Sequence, residues 1–176
     1  RQSNYLLRLI RSGNDSEGGR DVLTGDNGSD IIFGGTDDDE ITGDQGDDVL
    51  LGDGGEIKLI DSQPVRITSS HHVGDGNDVI DLDANRGADI IFGGGANDRI
   101  YGGDVDSSSD ILIGDHGVVV LADPDVSDIL TPDPIFDIFT QDPMFGGGDQ
   151  IFGGPGNDFI LGGYGVFGGR LAELLN

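Results

Sequence analysis

The chain of 176 residues contains no cysteine, which excludes disulfides, thiolate metal sites and cysteine nucleophiles. It has nine Lys and Arg against 34 Asp and Glu, and its formal net charge of −25 should repel nucleic acid and anionic membranes. No apolar run approaches the ~20 residues that span a bilayer. We therefore expect neither nucleic-acid binding nor membrane insertion. No signal peptide is visible at Arg1, and we expect a processed product or a piece of a longer protein.

The acidic residues are almost all aspartate, and they stand among 33 glycines. Only four of the 34 acidic residues are Glu. Short Asp side chains beside glycine are typical of turns and of ligands for hard cations. Glycine also loses more backbone freedom on folding than any other residue. A chain with this composition should be disordered unless a regular pattern and a bound cation compensate.

Such a pattern is present, because four segments of nine residues follow one another from Ser16 to Leu51. The sixth residue of each segment is an aspartate, namely Asp21, Asp30, Asp39 and Asp48. The eighth is aliphatic in every segment, namely Leu23, Ile32, Ile41 and Leu50. The pattern returns with less regular spacing at Asp78, Asp89, Asp98 and Asp110, and then at Asp149 and Asp158. A repeat of fixed length is the signature of a stacked architecture.

The segment GGPGNDFIL, from Gly153 to Leu161, fits the consensus G-G-x-G-x-D-x-U-x at every fixed position. The repeats thus resemble the RTX (repeats-in-toxin) family over about ten turns. The resemblance implies an all-β, right-handed parallel β-roll (β-solenoid), calcium bound in the turns, and export in an unfolded state. In the last turn Phe167 stands where the aspartate belongs, so calcium ligation should stop there.

In such a roll each repeat is a half-coil, and successive turns fall on opposite edges. Asp21 and Asp39 should share one edge, with Asp30 and Asp48 on the other, and each ion would bridge two turns of one edge. Without calcium the stacked carboxylates repel, so we expect an unfolded calcium-free state. The predicted ligands of the several calcium ions are Asp21, Asp30, Asp39, Asp48, Asp78, Asp89, Asp98, Asp110, Asp149 and Asp158, with the glycines Gly28, Gly46 and Gly156.

Other polar side chains have simpler interpretations. The sixth-position aspartates themselves could instead cap their own backbone in Gly-rich turns. We expect the remaining turn aspartates to be solvated or auxiliary, namely Asp26, Asp44, Asp53, Asp75, Asp104 and Asp115. His71 and His72 could bind zinc, but a loop pair is the simpler interpretation, and His116 is expected to be structural. No catalytic motif is recognisable, so we predict that the chain is not an enzyme.

The roll is predicted to alternate with two β-rich or irregular insertions. The three blocks end alike, at LGDGGEI, IGDHGVV and LGGYGVF, and the first two of these segments start 62 residues apart. This suggests a higher-order unit in a longer array, with Tyr5–Ile10 as the tail of an earlier insertion. The predicted ranges are 1–15 for an N-terminal strand-like segment, 16–51 for the first block, 52–73 for the first insertion, 74–116 for the second block, 117–146 for a Pro-rich second insertion, 147–169 for the third block and 170–176 for a tail.

One outer face of the roll is predicted to be apolar throughout. Its outward pairs are Ile31/Phe33, Val49/Leu51, Ile90/Phe92, Ile111/Ile113 and Phe159/Leu161. Because a soluble monomer rarely exposes such a patch, either the insertions or another copy of the chain should cover it. Self-association is therefore an expected interaction beside calcium binding.

These features favour a calcium-binding structural or assembly module of a secreted or cell-surface repeat protein, such as a fibre, adhesin or surface layer, that folds on calcium binding. The main alternative is a secretion and folding accessory domain of an RTX-type exported enzyme or toxin. A module that displays its insertions to a glycan or protein is a third possibility.

Overall fold

The computed structural model describes residues 6–13, 18–70, 73–81, 86–103, 105, 107–121, 137–142, 144–163, 166–167 and 170–171, and these are all-β. Across these ranges no helix is present that has the length and hydrophobicity to cross a membrane. The strands, in chain order, are β1 (Leu7–Arg11), β2 (Val22–Thr24), β3 (Ile31–Phe33), β4 (Glu40–Thr42), β5 (Val49–Leu51), β6 (Gly55–Ile60), β7 (Gln63–Ser69), β8 (Val79–Ile80), β9 (Ile90–Phe92), β10 (Arg99–Tyr101), β11 (Ile111–Ile113), β12 (Gly117–Val120), β13 (Asp137–Thr140), β14 (Gln150–Phe152), β15 (Phe159–Leu161), β16 (Val166–Phe167) and β17 (Arg170–Leu171).

Consecutive repeats alternate between two five-stranded parallel sheets. The polar-face sheet has the strand order β14-β10-β8-β4-β2, and the apolar-face sheet has the order β15-β11-β9-β5-β3. Equivalent residues pair in register, so that Ile41 lies between Leu23 and Ile80. Strands two repeats apart are therefore neighbours, which is consistent with the predicted β-roll.

The inner core lies between these two sheets. It consists of eighth-position aliphatic side chains with no exposed surface, namely Ile41, Leu50, Ile80, Ile91, Ile100 and Leu112. Three come from each sheet, so the sheets pack face to face. Because side chains alternate along a strand, one residue per strand points inward. Full burial of each contributes about 1.5–3 kcal/mol. The predicted core position is confirmed for these six residues, whereas Leu23 and Ile32 are partly buried and Ile160 is 48% exposed.

A third, antiparallel sheet, the covering sheet, is built from the insertions. Its strand order is β1-β6-β7-β12-β13. The first insertion supplies the β6–β7 hairpin, the second supplies β12 and β13, and β7 pairs with β12 to join them. The N-terminal segment adds β1 beside β6. The insertions are thus β-rich where the structure describes them, while residues 122–136, the Pro-rich part, lie outside the described ranges. The block boundaries stay predictions.

The covering sheet packs on the apolar outer face of the roll. Ile57 and Ile67 of this sheet form one buried cluster with Leu51, Phe92 and Ile113 of the apolar-face sheet. The insertions therefore cover the face, as the first of the two predicted alternatives states. Within the apolar-face sheet, only the last strand, β15, carries exposed residues. The central strands of this face are thus buried within one chain, and self-association through the face stays a prediction.

Parallel strand pairing gives way to antiparallel pairing after β15. Strand β16 pairs antiparallel with β17, so Phe167 lies opposite Arg170 in a short hairpin rather than over an earlier repeat. This is the turn in which the sequence lacks its sixth-position aspartate. Within the part of the chain that is described, β15 is thus the last strand of the roll. Residues 172–176 lie outside that part.

Candidate metal sites

The sixth-position aspartates form a continuous hydrogen-bonded ladder along each edge of the roll. On the first edge, the Oδ1 atom of each aspartate after Asp21 accepts the backbone N–H of the aspartate in the preceding turn of that edge. The distances are 2.7 Å from Asp21 N to Asp39, 2.8 Å from Asp39 N to Asp78, 2.8 Å from Asp78 N to Asp98 and 2.9 Å from Asp98 N to Asp149. The first edge thus contains five of the predicted ligands.

The second edge repeats this arrangement with the remaining five aspartates. The corresponding distances are 2.8 Å from Asp30 N to Asp48, 2.7 Å from Asp48 N to Asp89, 3.0 Å from Asp89 N to Asp110 and 3.1 Å from Asp110 N to Asp158. The predicted division of the aspartates between two edges is confirmed. In both ladders one carboxylate oxygen joins two turns by accepting a backbone N–H, which accounts for part of the preference for Asp at this position.

In six of these ten aspartates the second carboxylate oxygen makes no hydrogen bond. These six Oδ2 atoms are buried, and they belong to Asp30, Asp39, Asp48, Asp78, Asp98 and Asp149. Burying a polar atom without a partner is unfavourable by roughly 1–3 kcal/mol, and by more when the atom is charged. A row of such atoms along both edges is best explained by a ligand that bonds to them.

The first glycine of each repeat creates the space that such a ligand needs. A Cβ atom on Gly25 would lie 2.7 Å from Asp30 Oδ2 and 2.9 Å from the carbonyl oxygen of Gly43, in the next turn of that edge. A Cβ on Gly102 would lie 2.8 Å from both Asp110 Oδ2 and the Gly153 carbonyl oxygen. The same two kinds of oxygen meet at Gly34, Gly52, Gly93 and Gly114. Carboxylate and carbonyl oxygens in convergence are the donor set of calcium.

The three glycines predicted as ligands, Gly28, Gly46 and Gly156, are the fourth residues of their repeats. They do not lie beside the free Oδ2 atoms as the first-position glycines do. Gly28 and Gly46 have φ values of +121° and +141°, which a residue with a Cβ avoids. A Cβ on Gly46 would overlap the carbonyl oxygen of Gly28, and one on Gly156 would lie 2.8 Å from Asp158 Oδ1. Their role as ligands stays a prediction. The carbonyls that face the free Oδ2 atoms belong instead to first-position glycines, which the sequence reasoning missed.

Burial makes these carboxyl groups hard to ionise. Loss of solvation raises the pKa of Asp98 to about 10, against the opposing effect of the hydrogen bond from Asp78, and the charges of Asp78, Asp149 and Asp53 raise it further. Loss of solvation likewise raises the pKa of Asp78 to about 7 and that of Asp149 to about 6. A nearby divalent cation would reverse this shift by favouring the charged form.

Three aspartates outside the ladders, Asp53, Asp81 and Asp115, are buried. Asp81 is the ninth residue of its repeat, and ninth-position side chains are predicted to face outward. Instead it accepts a hydrogen bond from Gly43 N at 3.1 Å, and burial raises its pKa to about 8. Asp53 and Asp115, expected to be solvated or auxiliary, are 0% and 1% exposed. They are auxiliary and not solvated, because their side chains hold turn backbone: Asp53 accepts Gly95 N at 2.7 Å and Asp115 accepts Gly147 N at 2.8 Å.

The one described histidine, His116, is fully buried at the base of the second insertion. Its Nδ1 atom lies 3.1 Å from Ser69 Oγ, and its Nε2 atom lies 3.1 Å from Asp75 Oδ2. The expected structural role agrees with this burial. His71 and His72, and Asp104 among the turn aspartates, lie outside the described residues.

Two parallel sheets whose turns align buried carboxylates along both edges define a metal-binding β-repeat protein. The family model of the RTX calcium-binding nonapeptide repeat, which comprises four copies, matches residues 24–56, 72–108 and 145–166, and the chain belongs to this family. Its repeats bind calcium, and the free Oδ2 atoms and facing carbonyls fit that ion. None of the curated proteins and none of the solved structures compared with the chain matches it.

Proposed function

We propose that this chain is a structural module of an extracellular repeat protein, such as a fibre, adhesin or surface layer, and that it folds as a right-handed β-roll when several calcium ions bind. The observation that carries the proposal is the set of six buried Oδ2 atoms without a hydrogen-bond partner. Proteins with these repeats are typically secreted, and millimolar calcium outside cells suits modules whose dissociation constants are about 10⁻⁴–10⁻³ M.

Calcium would stabilise the fold by neutralising the negative charges of the aspartate carboxylates along its two edges. The first-edge aspartates Asp78, Asp98 and Asp149 lie in successive turns, and each side chain is bonded to the backbone of its neighbour. Their carboxylates must be charged to bind a divalent ion, and in the absence of a cation they repel one another. An ion that binds only the folded chain stabilises it by about 1.4 kcal/mol per site at tenfold excess over the dissociation constant. Several sites together supply the stability of a small domain.

The covered apolar face supports a second candidate, the calcium-dependent folding and secretion accessory domain of an exported enzyme or toxin. A fibre-forming module needs an exposed surface for its neighbours, whereas Leu51, Phe92 and Ile113 are 0% exposed beneath the covering sheet. The two candidates differ in assembly state. Light scattering in calcium separates them, because a structural element forms large assemblies and an accessory domain stays monomeric.

We also propose that the chain itself catalyses no reaction. Ser69, His116 and Asp75 follow one another at hydrogen-bond distance, in the order of a serine hydrolase triad. Ser69 and His116 are nevertheless 0% exposed, so a substrate has no access to the hydroxyl. The arrangement supports a role in holding the base of the insertions together.

A calcium titration followed by far-UV circular dichroism and light scattering tests the proposed function, with magnesium as control. We expect a cooperative gain of β signal at sub-millimolar to millimolar calcium and none with magnesium. A β signal that survives chelation at pH 7 would overturn the claim that calcium drives folding.

A further inference from the structure

The strongest cluster outside the two ladders lies where both insertions leave the roll. Asp53 lies two residues before β6, Asp75 follows the first insertion, and His116 directly precedes β12. One ligand atom from each of the three lies within 4.8 Å of the others. Asp53 and His116 have no exposed surface, and Asp75 is partly buried. Three segments far apart in sequence thus bring two carboxylates and an imidazole together inside the protein.

The imidazole ring is held in place from its other side. Ser69, the last residue of β7, places its hydroxyl 3.1 Å from Nδ1 of His116. In the tautomer that carries its proton on Nδ1 and donates it to Ser69 Oγ, the lone pair of Nε2 faces Asp75 Oδ2 at 3.1 Å. Two lone pairs at that distance repel unless a proton or a metal ion lies between them. A second hydrogen bond that fixes the ring of a metal-binding histidine is the usual support of such ligands.

The charges of the two carboxylates favour a divalent cation at this cluster. Asp53 and Asp75 together carry two negative charges when ionised, and a protonated His116 would balance one of them. A divalent cation bound to a neutral imidazole would balance both. Asp53 already accepts N–H groups from Gly76 at 3.0 Å and Gly95 at 2.7 Å, and these bonds orient its carboxylate while leaving lone pairs free.

We propose that Asp53, Asp75 and His116 form a binding site for a zinc-class transition-metal ion, separate from the calcium ladders. The nitrogen donor decides the class, because calcium takes oxygen ligands whereas imidazole suits zinc, copper and nickel. Tetrahedral zinc with bonds of about 2.0–2.2 Å holds its ligand atoms about 3.4 Å apart. The three ligand atoms, which lie within 4.8 Å of one another, would therefore move closer on binding. The ion would tie the start of both insertions to the roll and so fix the covering sheet.

The test is a zinc titration by calorimetry of the full chain, already folded and saturated in calcium. Cobalt(II) absorption provides a second readout of nitrogen and oxygen coordination. We expect one equivalent of zinc, with affinity at least tenfold weaker in His116→Gln and in Asp53→Asn. A variant with both His71→Gln and His72→Gln is the matched control and should bind as the unaltered chain does. Circular dichroism in calcium establishes beforehand that each variant is folded, so a failure of the calcium-dependent fold is seen separately.

Unchanged zinc binding in His116→Gln, or loss of binding only in the double histidine control, would overturn the proposal. If His116→Gln does not fold, the unaltered chain decides through long-range proton–nitrogen NMR of its histidine rings. Zinc should then shift Nε2 of His116 and leave Nδ1 protonated. Histidine signals that zinc does not move would overturn the proposal equally.

Discussion

Replacing Asp98 by asparagine should loosen the dependence of the fold on calcium. Asp98 is 3% exposed, its Oδ1 atom accepts the N–H of Asp78 at 2.8 Å, and its Oδ2 atom has no partner. Burial raises its pKa to about 10 from the ordinary 3.8. At pH 7 without calcium, the folded chain must therefore hold a proton that the unfolded chain has lost. Holding that proton costs about 4 kcal/mol of folding free energy.

The substitution Asp98→Asn keeps the shape and the oxygen that accepts the N–H of Asp78, and it removes the ionisable group. In a chelator, the free energy of unfolding should therefore rise by about 4 kcal/mol. The increment that calcium adds should fall by about 1.4–2.7 kcal/mol, the contribution of one site at ten- to hundredfold excess of ion over its dissociation constant. The substitution thus raises the stability in chelator and lowers the stability that calcium adds. The signs differ because the buried carboxylate destabilises the calcium-free fold but binds calcium when the ion is present.

Urea unfolding followed by circular dichroism measures both quantities, with a fixed concentration of trimethylamine N-oxide to keep the calcium-free chain folded. The matched control is Asp137→Asn, which makes the same charge change at an exposed position of β13 and should alter neither quantity. The reasoning is refuted if Asp98→Asn gives no gain in the chelator, or if it leaves the calcium increment unchanged.

Three further predictions concern protons, glycine and the covering sheet. Because loss of solvation raises the pKa of Asp78 to about 7, the calcium-free fold binds protons that the unfolded chain does not, so its stability falls as pH rises from about 4 to 7. Circular dichroism in chelator should show more β signal at pH 5 than at pH 7, and calcium should bind more weakly at pH 5; the reverse order contradicts this. Gly34→Ala places a Cβ 2.5 Å from Asp39 Oδ2 and should weaken calcium binding in a titration, whereas Gly19→Ala, with no atom within 4 Å, should not. Ile67→Ala removes a side chain with no exposed surface and should cost about 2–5 kcal/mol in urea unfolding. Leu9→Ala, at a half-exposed position of β1, should cost much less, and equal losses would argue against the covering sheet.

The nine-residue period predicted most of the roll because its information is local. A strand of three residues with alternating side chains puts the eighth residue inside, so Ile41 and Leu50 were placed correctly without any knowledge of their partners. The alternation of turns then assigned Asp21 and Asp39 to one edge, which the ladder of hydrogen bonds confirms. Neither step needs a contact between distant parts of the chain.

The rest depended on contacts that no period encodes. Asp53 is buried because it accepts N–H groups from residues 23 and 42 positions away. Asp81 turns inward with a φ of +66° in a half-coil that carries extra residues, so the regular outward assignment failed there. The sequence also could not predict that one oxygen of a ladder carboxylate is hydrogen-bonded while the other is free, because a sequence names the residue and not its individual atoms. The pairing of β7 with β12 depends on two insertions whose sequences differ.

The place at which the insertions leave the roll explains how the covering sheet and the calcium edges are linked. In an uninterrupted repeat, a Cβ on the first glycine would meet the Oδ2 of the aspartate five residues later, as for Gly34 and Asp39. Gly52 stands in the same relation to Asp78, and Gly114 to Asp149, although an insertion separates each pair. Each insertion therefore divides a single half-coil, and its two ends are held at a first-edge site. Since a cation at that site would join the two ends of the inserted segment, calcium binding and closure of the covering sheet should occur as one cooperative step. Hydrogen exchange should then show the amides of β6 and β12 gaining protection at the same calcium concentration as those of β8 and β9. Protection of the covering strands at a distinct concentration would show that the two layers fold independently.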